Sequence, residues 1–470
     1  MSVSAARWPS EALDAAQPKI FWSDSDDEPE AAPQLEGELK ADLTIIGGGF
    51  TGLWAAIHAL EQEPSLTVAI LEAERCGFGA SSRNGGFCDS SLTHGLANGI
   101  SHWPDETETL IRLGRENLDQ IESRIKLYDI DADFHRVAET AVATEPWQLE
   151  SLSESVELHK AVGDDVELLD EGAMRDRISS PTYVGGLVRH NDVALVDPAR
   201  LCWGLRRVAE SLGAMTFENS RVIKIERFGS ELGVITHHGS IRSERVIVAT
   251  NAYEGPHRST RRFVIPVYDH VLMTEPLDPL QLESLRWKDR DGVGDASNQF
   301  HYYRLSDDNR ILWGGYDATY HYGSGVRPQH DQSEVVHAAL AEHFFKTFPQ
   351  LEGLLFTHRW GGPIGTTTRF TASWGTAERG QLVWVAGYTG LGVGASLFGA
   401  KVALDLVFGQ TTERTELEMV RKRPMPFPPE PLRWTGVQLT RRAIQQADEN
   451  AGRRGSWLKL LDRLGVGFDS

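Results

Sequence analysis

Asp42-Leu43-Thr44-Ile45-Ile46 runs straight into Gly47-Gly48-Gly49-Phe50-Thr51-Gly52, and a helix-compatible run from Leu53 to Glu63 follows at once. A strand, a glycine-rich turn and a helix in this order can hold a dinucleotide. Gly47 permits the tight turn, Gly49 lets backbone approach a pyrophosphate, and Gly52 lets helix and strand pack closely. The free N–H groups and the positive dipole end of the helix then face the phosphates. A glycine triplet alone is a weak signal, because turns are glycine-rich in general. Here a second strand, Thr67-Val68-Ala69-Ile70-Leu71, ends on Glu72. That acid stands about twenty residues past the last glycine, as a ribose-binding acid should. A βαβ unit built only for structure would not require this agreement.

At 470 residues the chain exceeds one compact unit, so two domains are expected. No stretch approaches the roughly 20 apolar residues that span a bilayer, and the start lacks the basic and apolar regions of a secretory signal. Cys76, Cys88 and Cys202 show no metal-ligand spacing and read as reduced thiols of a cytoplasmic protein, with no metal expected. A total of 47 Lys and Arg against 67 Asp and Glu gives a net charge of −20, which argues against nucleic-acid partners. It mildly favours a cationic substrate, although a solvated acidic surface explains it equally.

Residues 1–36 read as an N-terminal extension whose acidic run, Ser23 to Glu30, is expected to be loosely held, with Phe21 and Trp22 able to pin it. After the βαβ unit comes Gly77-Phe78-Gly79-Ala80-Ser81-Ser82-Arg83-Asn84-Gly85-Gly86-Phe87, dense in hydroxyls and backbone donors. A nicotinamide enzyme needs no such second loop, whereas a flavin dinucleotide extends well past its pyrophosphate. An ordinary surface loop would have the same composition. Helices are predicted at 104–128, 145–162, 170–177 and 333–347, and another after Asp197-Pro198, an N-cap followed by proline at the first helical position. Strands are predicted at 221–226, 232–237 and 245–249, the last running into Ala249-Thr250-Asn251. Residues 263–316 look antiparallel and crowded with aromatics (Tyr268, Phe300, Tyr302, Tyr303, Trp313, Tyr316), most of them expected in core packing. A late strand, Leu382 to Gly387, breaks at Tyr388-Thr389-Gly390-Leu391-Gly392-Val393-Gly394 and opens a second helix. Its N–H groups can meet an anionic oxygen. Beyond residue 410, a proline-rich spacer precedes Trp457, Leu460, Leu461 and Leu464 at helical spacing. This tail has 11 basic and 8 acidic residues, a net charge of +3, and is expected to pack on the acidic body.

These motifs together resemble the D-amino-acid-oxidase-like superfamily of FAD-dependent oxidoreductases, and within it the γ-glutamylputrescine oxidoreductase-like branch. The likeness is carried by Ile45 to Leu53, Leu71-Glu72-Ala73, Gly79 to Gly86, Val246 to Asn251, Trp360-Gly361-Gly362 and Gly387 to Val393. It implies an α/β (α+β) architecture: a discontinuous Rossmann-like FAD-binding domain (37–100, 180–262 and 355–410) and a substrate domain on a large antiparallel sheet (101–179 and 263–354). A helical C-terminal tail, 411–470, completes the chain. It also implies that Gly47, Gly49, Phe50, Thr51 and Gly52 hold the pyrophosphate and that Glu72, with Ala73, holds the adenosine ribose. Ala80, Ser81, Ser82, Arg83, Asn84, Gly85, Gly86 and Phe87 would contact pyrophosphate, ribityl chain and ring. Val222 would meet the adenine through its backbone. Ala249, Thr250, Asn251, Gly361, Gly362, Gly387 and Thr389 would border the cofactor, and Gly390, Leu391, Gly392 and Val393 would face the flavin N1/O2 edge. Sarcosine-oxidase relatives attach flavin through a late cysteine. This chain has none after Cys202, so the FAD is expected to be non-covalent.

The implied chemistry moves a hydride equivalent from the carbon beside an amine nitrogen to flavin N5, with oxygen or another acceptor reoxidising the flavin. A γ-glutamylputrescine-like amine is favoured, with a sarcosine, glycine or D-amino-acid type of substrate as the alternative. Because the cofactor does the chemistry, no strong acid–base pair need be visible in the sequence. His94, His270 and Tyr388 are catalytic candidates by proximity to the glycine loops, and each has an equally ready structural explanation. Arg83 and Arg369 can anchor a carboxylate, or serve the flavin and a surface pair respectively. A pyridine-nucleotide dehydrogenase, or a protein with a structural flavin and an interaction-module tail, remain the other readings.

Overall fold

The chain is described from a computed structural model covering residues 9–257 and 260–466. The first eight and last four residues of the expected N- and C-terminal extensions lie outside these, as do 258–259 of an expected FAD-domain segment.

Two sheets organise the molecule. The first has eight strands, in the order Ser373–Ala377, Leu382–Ala386, Gly239–Val248, Gly37–Ile46, Val68–Leu71, Met215–Phe217, with Lys224–Phe228 and Glu231–Ile235 branching from Gly239–Val248. Its central pairings are parallel. Ile46 stands opposite both Leu71 and Val248, and Val248 opposite Trp384. The inner halves of these strands are buried on both faces, as a parallel sheet covered by helices requires. Helices Phe50–Gln62, Pro198–Ser211, Gly392–Val407 and Thr107–Leu127 pack over one face in a single apolar cluster. Because the strands run in register, Gly47, Glu72, Ala249 and Gly387 all leave the sheet at its carboxyl edge, where open α/β sheets bind ligands.

The second sheet has nine strands: Phe356–Thr366, Ile265–Thr274, Ile311–Gly315, His301–Leu305, Gly292–Asp295, His135–Ala143, Gly185–Leu195, Phe87–Asp89, with Val166–Asp170 on Gly185–Leu195. All pairings are antiparallel except Gly292–Asp295 with His135–Ala143. Tyr303, Ile311 and Trp313 point to one side and pack against Phe344 and Phe348 around helix Glu334–Thr347. The opposite side faces the first sheet across a cavity.

The structure moves the expected boundaries. Phe87–Asp89, Gly185–Leu195 and Phe356–Thr366 lie in segments expected to belong to the FAD domain, yet they pair into the antiparallel sheet. The chain thus crosses between the sheets more often than motif spacing reveals. The N-terminal segment is also better anchored than its composition predicts. Trp22 is buried and its indole N–H donates to Asn84 O at 2.9 Å. Ala32 N–H donates to the Glu218 carboxylate at 2.8 Å, and Leu35 is fully buried. In the tail, two short helices, Glu413–Glu416 and Glu418–Arg421, and a long one, Leu432–Glu449, precede the expected one, Ser456–Arg463. Among the described residues, no helix is long and apolar enough to cross a membrane.

Candidate active site and dinucleotide cradle

Three glycine-rich breaks from distant parts of the chain meet at the carboxyl edge of the parallel sheet. The helix Phe50–Gln62 starts at Gly49 without a side-chain cap, and Gly392–Val407 starts at Leu391 likewise, so two sets of N-terminal N–H groups are left for a ligand. Phe50 N–H donates to Ser81 Oγ at 3.0 Å, tying the second loop to the first. Thr51 Oγ1 donates to the Tyr388 hydroxyl at 2.9 Å, tying the first to the third. Asn251, in a left-handed conformation, accepts from Gly387 N–H at 2.8 Å.

The spacing of these elements depends on missing side chains. A Cβ on Gly52 would stand 2.0 Å from Gly47 O, and one on Gly47 would stand 2.6 Å from Ala249 O. Gly48 N–H donates to Glu72 Oε2 at 2.7 Å and Glu74 N–H to Oε1 at 3.0 Å. Burial raises the Glu72 carboxyl above its ordinary range, against the pull of those hydrogen bonds. Asn84 shapes the second loop: its amide donates to Ala80 O and Ser81 O, and Gly86 N–H donates to its Oδ1. From behind, the Trp360 indole donates to Arg83 O at 2.9 Å, complementing Trp22 on Asn84.

These loops wall a cavity of about 1700 Å³, larger than the several hundred cubic ångströms of an ordinary small-ligand pocket. It has room for a dinucleotide and a substrate together. Gly47, Gly49, Phe50, Thr51, Glu72 and Ala73 line it, as do Ala80, Ser81, Arg83, Asn84, Gly85 and Phe87. So do Val222, Ala249, Thr250, Asn251, Gly362 and the run from Tyr388 to Val393. Gly52, Ser82, Gly86, Gly361 and Gly387 stand just behind this wall. Paired uncapped helix ends, a carboxylate at the second strand's end and glycine-enforced close approach suit FAD.

Not every expected residue reaches the cavity. His270 does not: on the strand Ile265–Thr274, Val267, Asp269 and Val271 line it, and His270, one residue out of phase, points to the other face. There its Nε2 meets His330 O at 3.2 Å and its ring meets that of His337. Arg369 also misses the cavity. It is buried over the Trp103 ring and donates to Met419 O at 3.2 Å, and burial lowers its guanidinium to about 10. An anchoring role for its side chain is therefore set aside, as is a catalytic one for His270. Arg83 does line the cavity, but its Nη1 is committed to Asp331 at 2.6 Å and Gly361 O at 3.0 Å. His94 lies on the wall with its ring against Phe370, and burial holds its imidazole below the usual value. Tyr388 is buried on the wall, and burial raises its phenol.

The sequence reading missed Asp269 and understated Tyr302. Tyr302, Phe300 and Tyr316 line the cavity; Tyr268 touches it, but its ring packs on His321 and His330 on the side His270 takes, and Tyr303 and Trp313 fill the core. The signal was there in outline, since Asp269 is the one acid in a β-prone run. The tail was also missed as part of the site: Leu432, Leu439, Ile444, Trp457 and Leu461, from its last two helices, line the same cavity.

Comparison with known proteins agrees with this geometry. Over residues 42–406 the chain matches the family described as FAD dependent oxidoreductase (DAO). It is 32% identical to γ-glutamylputrescine oxidoreductase of Escherichia coli K12 over 381 residues, covering 80% of this chain and 85% of that one. In fold it is similar to glycine oxidase of Geobacillus kaustophilus, with a TM-score of 0.68 at 20% identity over 80% of this chain and 96% of that one. Iminodiacetate oxidase of Chelativorans sp. BNC1 superposes with a TM-score of 0.64 at 17% identity, over 81% of this chain and 98% of the other. The chain belongs to the DAO family of FAD-dependent oxidoreductases.

Proposed function

We propose that the protein oxidises the C–N bond of a small amine to an imine, with a γ-glutamylputrescine-like amine favoured over a sarcosine, glycine or D-amino-acid type of substrate. The observation that carries this reading is a single cavity running from the three glycine loops to the face of the antiparallel sheet that bears Asp269 and Tyr302. The named activity of the Escherichia coli relative supports the choice of amine.

Bound FAD supplies the acceptor for a hydride equivalent from the carbon beside the nitrogen. The chain's own residues do the rest. The two uncapped helix ends would hold anionic oxygens of the cofactor, at the pyrophosphate and at the pyrimidine edge. Glu72 would hold the adenosine ribose hydroxyls, and Val222 would meet the adenine through its backbone. The second loop, fixed by Asn84 and two tryptophans, would hold the flavin ring. The tail helices exclude water from above. Cys76, Cys88 and Cys202 are buried and none lies on the cavity wall, which supports a non-covalent cofactor.

The test is optical. Purified protein should absorb near about 450 nm from bound flavin, release that flavin on denaturation, and bleach anaerobically with an aliphatic amine. If no amine or amino acid bleaches a fully loaded protein, the reading fails.

A further inference from the structure

The carboxylates on the cavity wall are, with two exceptions, matched by basic partners. Asp89 and Glu139 share Arg189, each at 2.6 Å. Asp164 and Asp192 share Arg115, Glu74 meets Arg221 at 2.7 Å, and Asp295 meets His301 at 2.6 Å. The exceptions are Glu72, whose oxygens accept from Gly48 N–H of the first loop and from Glu74 N–H, and Asp269, on the sheet floor.

Asp269 has only neutral donors. The Tyr302 hydroxyl donates to Oδ2 at 2.6 Å and the His270 backbone N–H to Oδ1 at 2.8 Å, and the Gly315 backbone N–H adds a third, weaker donor. Among the described residues it takes part in no salt bridge, and burial raises its carboxyl to about 6. Two carboxylate oxygens offer about four acceptor sites, so capacity remains on the side open to the cavity. Tyr302 fixes where that capacity points. Its ring is wedged beside Gly85 and Gly314, where added Cβ atoms would stand 2.7 and 2.6 Å from ring carbons. Gly85 belongs to the second cofactor loop, so the Asp269–Tyr302 pair sits against the flavin region. A carboxylate desolvated with only the more distant His301, itself paired with Asp295, as an opposing charge favours any cation that enters. Arg83, Arg115 and Arg189, by contrast, are already committed to acids.

We propose that Asp269, oriented by Tyr302, is the docking anion for the substrate's ammonium group. Docking is the step assigned to Asp269; the nitrogen sheds one proton to solvent before a hydride leaves the carbon beside it. That the docked cation is the reacting amine rests on the function proposed above, whereas cation binding itself does not.

The test uses the FAD-loaded protein and two redox-inert probes of similar shape, tert-butylammonium and tert-butanol, titrated by calorimetry and by perturbation of the flavin spectrum. Neither has a hydrogen on the carbon beside its heteroatom, so neither can give up a hydride. Wild type should bind the cation at least tenfold more tightly than the alcohol. Asp269→Asn should lose that preference and Asp269→Glu should retain most of it. Asp269→Ser, which leaves room for water beside Tyr302, is the second variant should the Asn protein lose its flavin. With any oxidised amine, the Asn variant should raise KM at least tenfold with a smaller change in kcat. No charge preference in the wild type, or a preference that survives in a flavin-loaded Asn or Ser variant, overturns the proposal. If the preference depends on Asp269 but no amine bleaches the flavin, the amine-oxidising function fails while the cation site stands.

Discussion

Thr51 Oγ1 donates a 2.9 Å hydrogen bond to the hydroxyl of Tyr388, 337 residues further along the chain. The bond joins the helix after the first glycine loop to the last glycine loop, at the edge where the cofactor must lie. Gly399 leaves space for the same phenol, since a Cβ there would stand 2.2 Å from its oxygen.

Tyr388→Phe should therefore strand the buried Thr51 hydroxyl without its acceptor. The expected cost is about 1–2 kcal/mol in unfolding free energy, read from denaturant curves of the loaded protein. Thr51→Val combined with Tyr388→Phe should cost less than the two single changes added together, because the pair is removed as a unit. Full additivity would show that the bond does not couple the loops.

Glu72→Ala should weaken FAD binding without unfolding the protein. The change releases the N–H groups of Gly48 and Glu74 and removes a carboxylate from the wall. Charge-assisted hydrogen bonds are worth about 1.5–3 kcal/mol, so the FAD dissociation constant should rise at least about tenfold. Fluorescence of flavin released on dilution measures it. An unchanged constant would remove Glu72 from the cradle.

Glu61 gives the fold an acid-sensitive brace. Burial alone would raise its carboxyl, but His58, Arg124 and Tyr128 together hold it down to about 2. Arg124 donates at 2.7 Å and the Tyr128 hydroxyl at 2.9 Å. A folded value below the unfolded one means that the contribution is present above about pH 4.5 and lost as pH falls toward about 2. Glu61→Gln should cost up to about 3 kcal/mol at neutral pH, with the gap to wild type closing across that acid window. Urea midpoints measured at pH 7, 4 and 3 check it. A gap that stays constant with pH would mean that the charge of Glu61 contributes nothing.

Asp448→Ala should loosen the roof. From the helix Leu432–Glu449, Asp448 accepts from Asn298 N–H at 3.0 Å, Asn298 Nδ2 at 2.7 Å and Gln299 N–H at 3.0 Å. Arg441 ties the same helix to Asp317. Removing the Asp448 anchor should raise hydrogen exchange across residues 432–449 and increase iodide quenching of flavin fluorescence several-fold, with little change in overall stability. Unchanged quenching would show that the tail does not govern access.

The sequence by itself determined the local units. An apolar run into Gly47-x-Gly49-x-x-Gly52 dictates strand, turn and helix, and Glu72 follows at the end of the next strand, because these depend on neighbours a few residues apart. The small-residue opening of the late helix and the proline-marked start at Pro198 were legible for the same reason. Tertiary structure decided which side chains share a space. Asp269 and His270 are adjacent in a β-prone run, yet one faces the cavity and the other the opposite side, because strand side chains alternate and only the pairing register sets which face is inward. Arg369 and Arg83 looked alike as free cations until distant partners, Met419 and Asp331, claimed them. The tail showed only helical spacing, and it became part of the cavity wall through contacts with residues more than a hundred positions away. Short-range order follows from backbone sterics and hydrophobic period. The site is a matter of long-range juxtaposition, which no local pattern encodes.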